Sequence, residues 1–220
     1  MMGADATDRG LRLEGVRIER AGGAALLALD LAVAPGEVVA VMGPSGAGKS
    51  TLLAAVMGTL APPFALRGRV TLDGRDVTAA PPERRGIGIL FQDDLLFPHL
   101  SVGENLAFGL SRRVRGRAAR RAAVEAALAE AGLAGMAGRD PATLSGGERL
   151  RAALMRTLLA EPRALLLDEP FSSLDQDRRD RMRRLVFARA TARGLPVLMV
   201  THDPADAAAA GGPVVRLGAG

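Results

Sequence analysis

One segment of this 220-residue chain combines glycines, a lysine and hydroxyl side chains at the spacing of a phosphate-binding loop. Its residues are Gly43, Pro44, Ser45, Gly46, Ala47, Gly48, Lys49, Ser50 and Thr51. Glycines let backbone N–H groups turn toward phosphate oxygens, and a following helix presents its positive N-terminal end to them. In this pattern the lysine neutralises the β- and γ-phosphates, and the first hydroxyl ligates Mg²⁺. The segment therefore predicts a nucleoside triphosphate site.

Lys49 stands out further because it is the only lysine in the chain. Apart from two histidines, arginine supplies every other basic side chain, and the formal net charge is +5. A compact ammonium group suits phosphates at such a site, whereas a planar guanidinium suits partners that accept two parallel hydrogen bonds. This contrast favours a functional interpretation of Lys49 over an ordinary glycine-rich turn.

A second candidate group is an apolar run, residues 165–167, that ends in the two acids Asp168 and Glu169. A buried strand would aim Asp168 at a metal ion, and Glu169 beside it would orient or deprotonate a water molecule. Many strands end in acids, so this run is weak alone. Together with the phosphate loop it predicts a hydrolytic nucleotide site.

The segments around these residues indicate an α/β fold. Apolar runs typical of buried parallel strands lie at 37–42, 87–91, 164–168 and 196–201, with a further short strand at 214–217. Amphipathic or charged helices are predicted at 49–60, 116–131, 146–160 and 176–193. Alternation at 11–14 and 29–33 predicts edge strands of a mixed sheet, and 68–78 predicts a hairpin that turns at Asp73 and Gly74. Strands that alternate with helices imply a largely parallel sheet, and 93–160 is predicted to be a helical insertion in it.

Composition limits the remaining possibilities. The chain has no cysteine, which excludes disulfides and thiolate metal sites. Its longest apolar region, 24–42, is interrupted by Asp30, Pro35 and Glu37, so no segment reaches the ~18 apolar residues of a spanning helix, and no signal peptide is expected. The arginine-rich run 112–121 is interpreted as a solvated helix face, the alternative being attraction to phosphates or to an anionic membrane.

Several further segments resemble the ATP-binding cassette family. The run 144–148, which contains Ser145, Gly146, Gly147 and Glu148, resembles the family signature, and four other segments follow the family's order. They are Gln92 after 89–91, which resembles the glutamine loop, the segment 170–175, which includes Asp175, the switch-histidine sequence Thr201-His202-Asp203, and the segment 97–105, which is similar to importer cassettes. The resemblance covers about residues 11–217.

This resemblance implies a P-loop NTPase core with a mixed and parallel sheet, an N-terminal antiparallel β portion and an inserted helical subdomain. The chain would be one nucleotide-binding domain, 1–220, with its core at 1–92 and 161–220 and the helical subdomain at about 93–160. ATP and Mg²⁺ are the implied ligands. Ser50, Gln92 and Asp168 would hold the metal, and Glu169, His202 and Gln92 would be catalytic.

The family also implies a head-to-tail dimer with two ATP molecules between the subunits. Each ATP would lie on residues 43–51 of one chain and under Ser145, Gly146 and Gly147 of the other. Those residues begin a predicted helix and so form another anion-binding terminus. Glu148 would lie beside them, Asp175 would line the dimer seam, and His202 would contact the γ-phosphate.

Two departures from the family pattern affect the site. Glu148 replaces the usual glutamine of the signature, which is expected to tune the site without abolishing it. Cassettes usually stack adenine on an aromatic residue upstream of the phosphate loop, but residues 16–24 contain none. Arg17 or Arg20 could stack on the base instead. The sequence therefore predicts weaker adenine affinity and relaxed base selectivity.

Three kinds of cassette protein remain open. The favoured one is the ATPase subunit of a bacterial importer near the thiamine and ferric-ion groups. It would lie on the cytoplasmic face of the membrane with a permease, a second and identical cassette and an extracytoplasmic binding protein. An export or lipid-release ATPase is an alternative. A soluble cassette protein that acts on nucleic acid or the ribosome is the third, but no coiled coil or second cassette is present and no nucleic-acid partner is expected.

Overall fold

The computed structural model describes residues 9–23, 25–93 and 95–218. The chain divides into two compact units. The first contains residues 1–89, 163–169 and 187–220, and the second contains 90–162 and 170–186. The domain boundaries expected from the sequence stay a prediction, and their outer limits at 1 and 220 lie outside the described residues.

The strands and helices occupy the following segments. The strands are β1 (Leu11–Arg20), β2 (Ala25–Val33), β3 (Val38–Met42), β4 (Phe64–Leu72), β5 (Arg75–Asp76), β6 (Ile87–Leu90), β7 (Ala164–Asp168), β8 (Val197–Thr201) and β9 (Val214–Arg216). The helices are α1 (Lys49–Met57), α2 (Pro82–Arg85), α3 (Val102–Gly109), α4 (Arg117–Glu130), α5 (Gly146–Leu159), α6 (Gln176–Ala192) and α7 (Pro204–Ala210). The helices and buried strands predicted from periodicity are all present, with ends shifted by a few residues.

A five-stranded sheet in the order β6-β7-β8-β3-β9 forms the centre of the first unit. Strands β7 and β3 both pair with β8 in parallel, and β9 pairs with β3 in parallel. Every residue of β3 and β8 is buried, as are the first four residues of β7. Such burial on both faces requires the uninterrupted apolar runs that these strands have. Because the strands are parallel, β3, β7 and β8 end at the same edge of the sheet.

The N-terminal strands form a separate four-stranded sheet, in the order β2-β1-β4-β5, whose pairings are antiparallel. The prediction of an edge strand at 11–14 was therefore wrong. Strand β1 lies between β2 and β4, and it buries alternate residues such as Leu11, Leu13 and Ile18 in the core. Alternation reports that one face of a strand is buried, but it does not report how many neighbours the strand has. The hairpin turn at Asp73 and Gly74 is confirmed, and both residues have positive φ, as a tight Asp-Gly turn requires.

Helix α1 packs against the sheet through Leu52, Leu53 and Val56, which are buried. It ends at Gly58, whose φ of 84° is the left-handed conformation typical of a helix C-terminus. The buried Arg85 side chain covers this end. Its guanidinium donates hydrogen bonds to carbonyl oxygens of α1 and of the segment before α2, namely those of Ala55 (3.0 Å), Val56 (2.7 Å), Thr78 (2.6 Å) and Ala80 (2.8 Å). Burial lowers the pKa of Arg85, and the hydrogen bonds to helix-end carbonyls offset the desolvation of its charge.

The second unit is built from helices. Helix α3 packs against α4 and α5, and the buried side chains of Leu106, Leu128 and Leu154 form part of its core. Asn105 of α3 is fully buried, and its amide bonds both the N–H and the carbonyl oxygen of Phe97. This amide thereby fixes the loop that precedes α3. Within residues 9–23, 25–93 and 95–218, none of the helices has the length and apolarity needed to cross a bilayer.

Substitution Arg85→Met is expected to lower the free energy of unfolding by about 2–4 kcal/mol, because it removes the Arg85 donor from two buried and two partly buried carbonyl oxygens. Urea denaturation followed by circular dichroism measures this change. The matched control is Arg84→Met on the same helix, where the side chain is exposed and the expected change is below about 0.5 kcal/mol. Equal stability of the two variants would show that Arg85 does not stabilise the end of α1.

Candidate functional site

The phosphate loop connects β3 to α1, and two of its glycines have conformations that other residues rarely adopt. Gly46 has a φ of 85° and Gly48 a φ of 82°, both in the left-handed region. Gly48 is also crowded, because a Cβ atom there would lie 3.0 Å from side-chain atoms of Leu26 and Leu27. Glycine therefore suits both positions because of the backbone conformation, and Gly48 also because of the close approach of β2.

Lys49 begins α1 and is 7% exposed. Its Nζ atom donates hydrogen bonds to the carbonyl oxygens of Gly43 (2.9 Å) and Pro44 (3.0 Å). The same atom lies 3.6 Å from Oε1 of Glu169. The ammonium group is therefore held across the phosphate loop, between the loop's own carbonyls and the acid at the end of β7.

Asp168 and Ser50 bring two oxygen ligands together. The hydroxyl of Ser50 donates to Oδ1 of Asp168 at 3.2 Å. Burial raises the pKa of Asp168, and the nearby Glu169 carboxylate raises it further, whereas the Ser50 hydrogen bond and the Lys49 charge oppose the shift. Among the described residues no group of three or more histidines, cysteines and acids could hold a metal by itself. A hydroxyl and one carboxylate fit Mg²⁺, which takes oxygen ligands and completes its shell with substrate phosphates and water.

Glu169 lies immediately beyond β7, and its carboxylate contacts the side chains of Lys49 and His202. Its Oε2 atom is 2.8 Å from Nδ1 of His202, while Oε1 faces Lys49. An ionised carboxylate only accepts hydrogen bonds, so with Glu169 ionised the donor in this pair would be Nδ1 of His202. The φ of Glu169 is 45°, a left-handed conformation that costs a non-glycine residue about 1–2 kcal/mol. Strain of this kind clusters at functional sites, where the surrounding structure holds it in place.

His202 follows β8, and a buried network fixes the start of its loop. Thr201 is buried, and its hydroxyl donates to Oδ2 of the buried Asp206 at 3.1 Å and accepts from the N–H of Asp203 at 3.0 Å. The Asp203 side chain in turn accepts from the N–H of Ala205 at the start of α7. Sequence reasoning missed Asp206, although its position in the first turn after Asp203 was the available signal.

The structure thus brings together the residues predicted for the hydrolytic half of the site. Lys49, Ser50, Asp168, Glu169 and His202 all lie in the first unit. An open pocket of about 340 Å³ adjoins them, and it is lined by Leu26, Ser45, Gly46, Gly48, Lys49, Ser50, Thr51, Phe64 and Glu169. Sequence reasoning missed Phe64, which lies 15 residues after Lys49 in the chain. Among the described residues, Arg17 and Arg20 do not line this pocket.

The other predicted residues lie in the second unit. Gln92 is exposed in a bend after β6. Ser145 immediately precedes α5, whose first residues are Gly146 and Gly147. Asp175 is exposed just before α6, where its Oδ1 atom accepts from the N–H of Arg178 at 3.0 Å. The roles predicted for these residues stay predictions.

Ser145 and Glu148 satisfy each other's amides at the start of α5. Glu148 Oε2 accepts from the Ser145 N–H at 2.7 Å, and the Ser145 hydroxyl accepts from the Glu148 N–H at 3.4 Å. The hydrogen bonds from Ser145 lower the pKa of Glu148. The same reciprocal pair occurs at the start of α3 between Ser101 and Glu104. Glu148 therefore has a structural role as a capping residue, whatever else it does.

Known proteins resemble the chain over most of its length. The sequence model of the family described as ABC transporter matches residues 26–172. An uncharacterized ABC transporter ATP-binding protein of Escherichia coli (strain K12) is 50% identical over 178 residues, which are 81% of this chain and 82% of that protein. A thiamine import ATP-binding protein of Cereibacter sphaeroides is 48% identical over 181 residues, 82% of this chain and 77% of the relative. An Fe(3+) ions import ATP-binding protein of Streptomyces coelicolor is 48% identical over 200 residues, 90% of this chain but 56% of that longer protein.

Substitution Glu148→Gln is expected to change how stability depends on pH. The folded chain lowers the pKa of Glu148, so its ionised form stabilises the fold above its usual pKa and this contribution disappears as pH falls through the folded value. The variant should therefore be less stable than the parent by at most about 1 kcal/mol at pH 7, and this difference should be smaller at about pH 3, below the usual pKa of glutamate. Urea denaturation at both pH values measures this. The control is Glu125→Gln in the middle of α4, away from the helix ends; an equal pH response there would refute the capping effect.

Proposed function

This chain belongs to the ABC transporter family and is one of its ATP-binding, ATP-hydrolysing subunits, and we propose that it energises a bacterial importer through the site around Lys49. The observation that carries the proposal is the convergence of Lys49, Asp168, Glu169 and His202 at one edge of the parallel sheet. A phosphate loop, a metal-facing acid and a second acid that can orient the attacking water recur in enzymes that hydrolyse a terminal phosphate, and the histidine adds a polar group beside them.

Each group has a distinct part in the proposed reaction. The backbone N–H groups of the loop and the N-terminus of α1 hold the phosphates, and Lys49 neutralises their charge. Glu169 accepts the proton of the attacking water, since its carboxylate is fixed at the strand end by contacts with His202 and Lys49. His202 is exposed and lies next to Glu169, so it is positioned to contact the γ-phosphate. Thr201 and Asp206 hold the start of the histidine loop.

Ser50 and Asp168 would hold Mg²⁺. When bound, the ion would neutralise charge on the β- and γ-phosphate oxygens. The adjacent hydroxyl and carboxylate support this assignment, because both are hard oxygen donors. A bound cation would also favour the ionised form of Asp168, whose pKa is otherwise raised by burial.

A second copy of the chain would complete each site. In the proposed dimer, Ser145, Gly146 and Gly147 of one subunit face the ATP on the phosphate loop of the other, and Asp175 lies at the seam. Two features support an anion at this helix start. In the first turn of α5 the Glu148 N–H is bonded to Ser145, and the N–H groups of Gly146 and Gly147 at the helix start are the ones that an anion would meet. A pocket of about 330 Å³ beside it is lined by Ser145 and Gly147 together with Arg151, Arg178 and Arg181.

The membrane partner is a permease, as in other transporters of this family, and import is the proposed direction. Two of the relatives are thiamine and Fe(3+) import proteins by name. The segment 92–105 would receive a cytoplasmic helix of the permease. Exposed apolar side chains of Phe91 (39% exposed) and Leu95 (52%) support such a contact, since large apolar groups at a surface mark interaction sites. The chain would then lie on the cytoplasmic face of the membrane, and an extracytoplasmic binding protein would deliver the substrate.

Substitution Glu169→Gln is expected to lower steady-state ATP hydrolysis at least about 100-fold while ATP binding is retained, because the amide cannot take the proton of the attacking water. The bound but unhydrolysed ATP should then trap the dimer. Phosphate release and size-exclusion chromatography with ATP measure the two effects.

Two further variants serve as controls for this result. Glu83→Gln removes an exposed acid on α2 and should hydrolyse ATP at the parent's rate. Lys49→Ala should instead lose nucleotide binding, because the ATP phosphates at the loop would no longer face the ammonium group. Normal turnover by Glu169→Gln would assign the base to another residue.

Affinity purification of the tagged chain from its native membranes in mild detergent is expected to recover a multi-spanning permease. A periplasmic or lipoprotein binding protein in the same complex would establish import and indicate the substrate. A permease with an export or lipid-release partner would overturn the proposed direction, and ribosomes or nucleic acid would overturn transport while leaving the ATPase site intact. Parallel purification from the same membranes without the tagged chain provides the background for non-specific capture.

A further inference from the structure

The pocket beside the phosphate loop contains one aromatic side chain among its described lining residues, that of Phe64. We propose that Phe64 stacks on the base of the bound nucleotide and supplies the affinity that the aromatic-free segment 16–24 lacks. This inference rests on the proposed binding of ATP at Lys49, and it identifies the residue that holds the base.

The place of Phe64 in the fold supports this assignment. Phe64 is the first residue of β4 and lies directly opposite Arg20, the last residue of β1. The N–H of Ala21 donates to the carbonyl oxygen of Pro63 at 2.8 Å, which ties the turn after β1 to the start of β4. A side chain at the start of β4 therefore reaches the same region of the surface as the end of β1, although it is more than 40 residues away in sequence.

The described lining of the pocket offers few apolar side chains against which a nucleotide base could pack. Of the described lining residues, seven are polar, charged or glycine, and the other two are Leu26 and Phe64. Leu26 packs against the phosphate loop, where its side chain approaches the position of a Cβ on Gly48 to 3.0 Å. The apolar end of the pocket is therefore contiguous with the phosphate-binding end. A half-buried aromatic ring there provides the kind of surface on which nucleobases stack.

Phe64 is also held in place well enough to act as a platform. Its side chain packs against the hydrophobic core cluster of the first unit. Arg17 and Arg20, by contrast, are exposed. A guanidinium could stack on a base, but an exposed arginine must give up more side-chain freedom to do so than a packed ring. Stacking on phenylalanine tolerates every base, so ATP and GTP should depend on Phe64 to a similar extent.

The decisive experiment compares nucleotide and inorganic tripolyphosphate binding by isothermal titration calorimetry. Phe64→Ala is expected to raise the Kd for ATP between roughly 5-fold and 150-fold and to leave the Kd for tripolyphosphate within about 2-fold, because only the nucleotide has a base. Arg20→Ala is the matched control from the facing strand and should bind both ligands like the parent. An unchanged Kd for ATP in Phe64→Ala, or a loss that appears in Arg20→Ala instead, would overturn the inference.

A second variant tests the contact directly and does not depend on truncating a packed side chain. The chain contains no tryptophan and no tyrosine, so Phe64→Trp introduces a single strong fluorophore. ATP should quench its emission, tripolyphosphate should not, and Phe108→Trp at a 69% exposed site of the second unit should respond to neither. Absence of ATP quenching in Phe64→Trp, with ATP still bound, would refute stacking. If the parent itself bound neither ATP nor tripolyphosphate, the proposed function would fail rather than the assignment of Phe64.

Discussion

Parallel pairing of β7, β8 and β3 is the constraint on which the candidate site around Lys49 depends. Each strand is buried on both faces, so the sheet can form only from uninterrupted apolar segments, and polar residues collect where those segments stop. Because parallel strands end at the same edge, the phosphate loop after β3, the acids at the end of β7 and the histidine after β8 become neighbours. These groups are thus brought together by backbone hydrogen bonding, although Ser50 and Asp168 lie 118 residues apart in sequence.

Electrostatics at this edge is balanced by mutual contacts. The ammonium group of Lys49, which is almost fully buried, faces two carbonyl oxygens and the Glu169 carboxylate. Glu169 is also bonded to His202, and Asp168 to Ser50. A buried charge without such partners would be costly, so each ionisable group of the site stabilises another. The left-handed backbone of Glu169 adds a local strain that the strand end and these contacts hold in place.

In the second unit, two pairs of hydrogen-bonded polar side chains lie at helix starts, whereas in the first unit Asp168, Glu169 and His202 lie at or just after strand ends. The starts of α3 and α5 are both closed by a serine and a glutamate that satisfy each other's amides. In α5 the same serine begins the signature residues, so the group that would meet a partner's nucleotide also stabilises its own helix. In the first unit, Arg85 performs the opposite task and satisfies the carbonyls at the end of α1, the helix that starts with Lys49.

The sequence by itself determined the elements and most of the chemical groups. Glycine spacing identified the loop at 43–51, apolar runs identified β3, β7 and β8, and local periodicity identified α4, α5 and α6, because each of these signals is contained within a short segment.

Tertiary structure alone decided the strand neighbours and the side-chain contacts, because these depend on residues that are distant in sequence. It placed β1 inside a separate antiparallel sheet, since alternation does not record how many strands lie beside it. It joined Glu169 to His202 and Thr201 to Asp206, and it brought Phe64 beside the phosphate loop through the pairing of β1 with β4. No local sequence pattern specifies which residues of β1 and β4 pair. Only the folded chain therefore shows that Phe64 of β4 lies opposite the end of β1, which has no aromatic residue of its own.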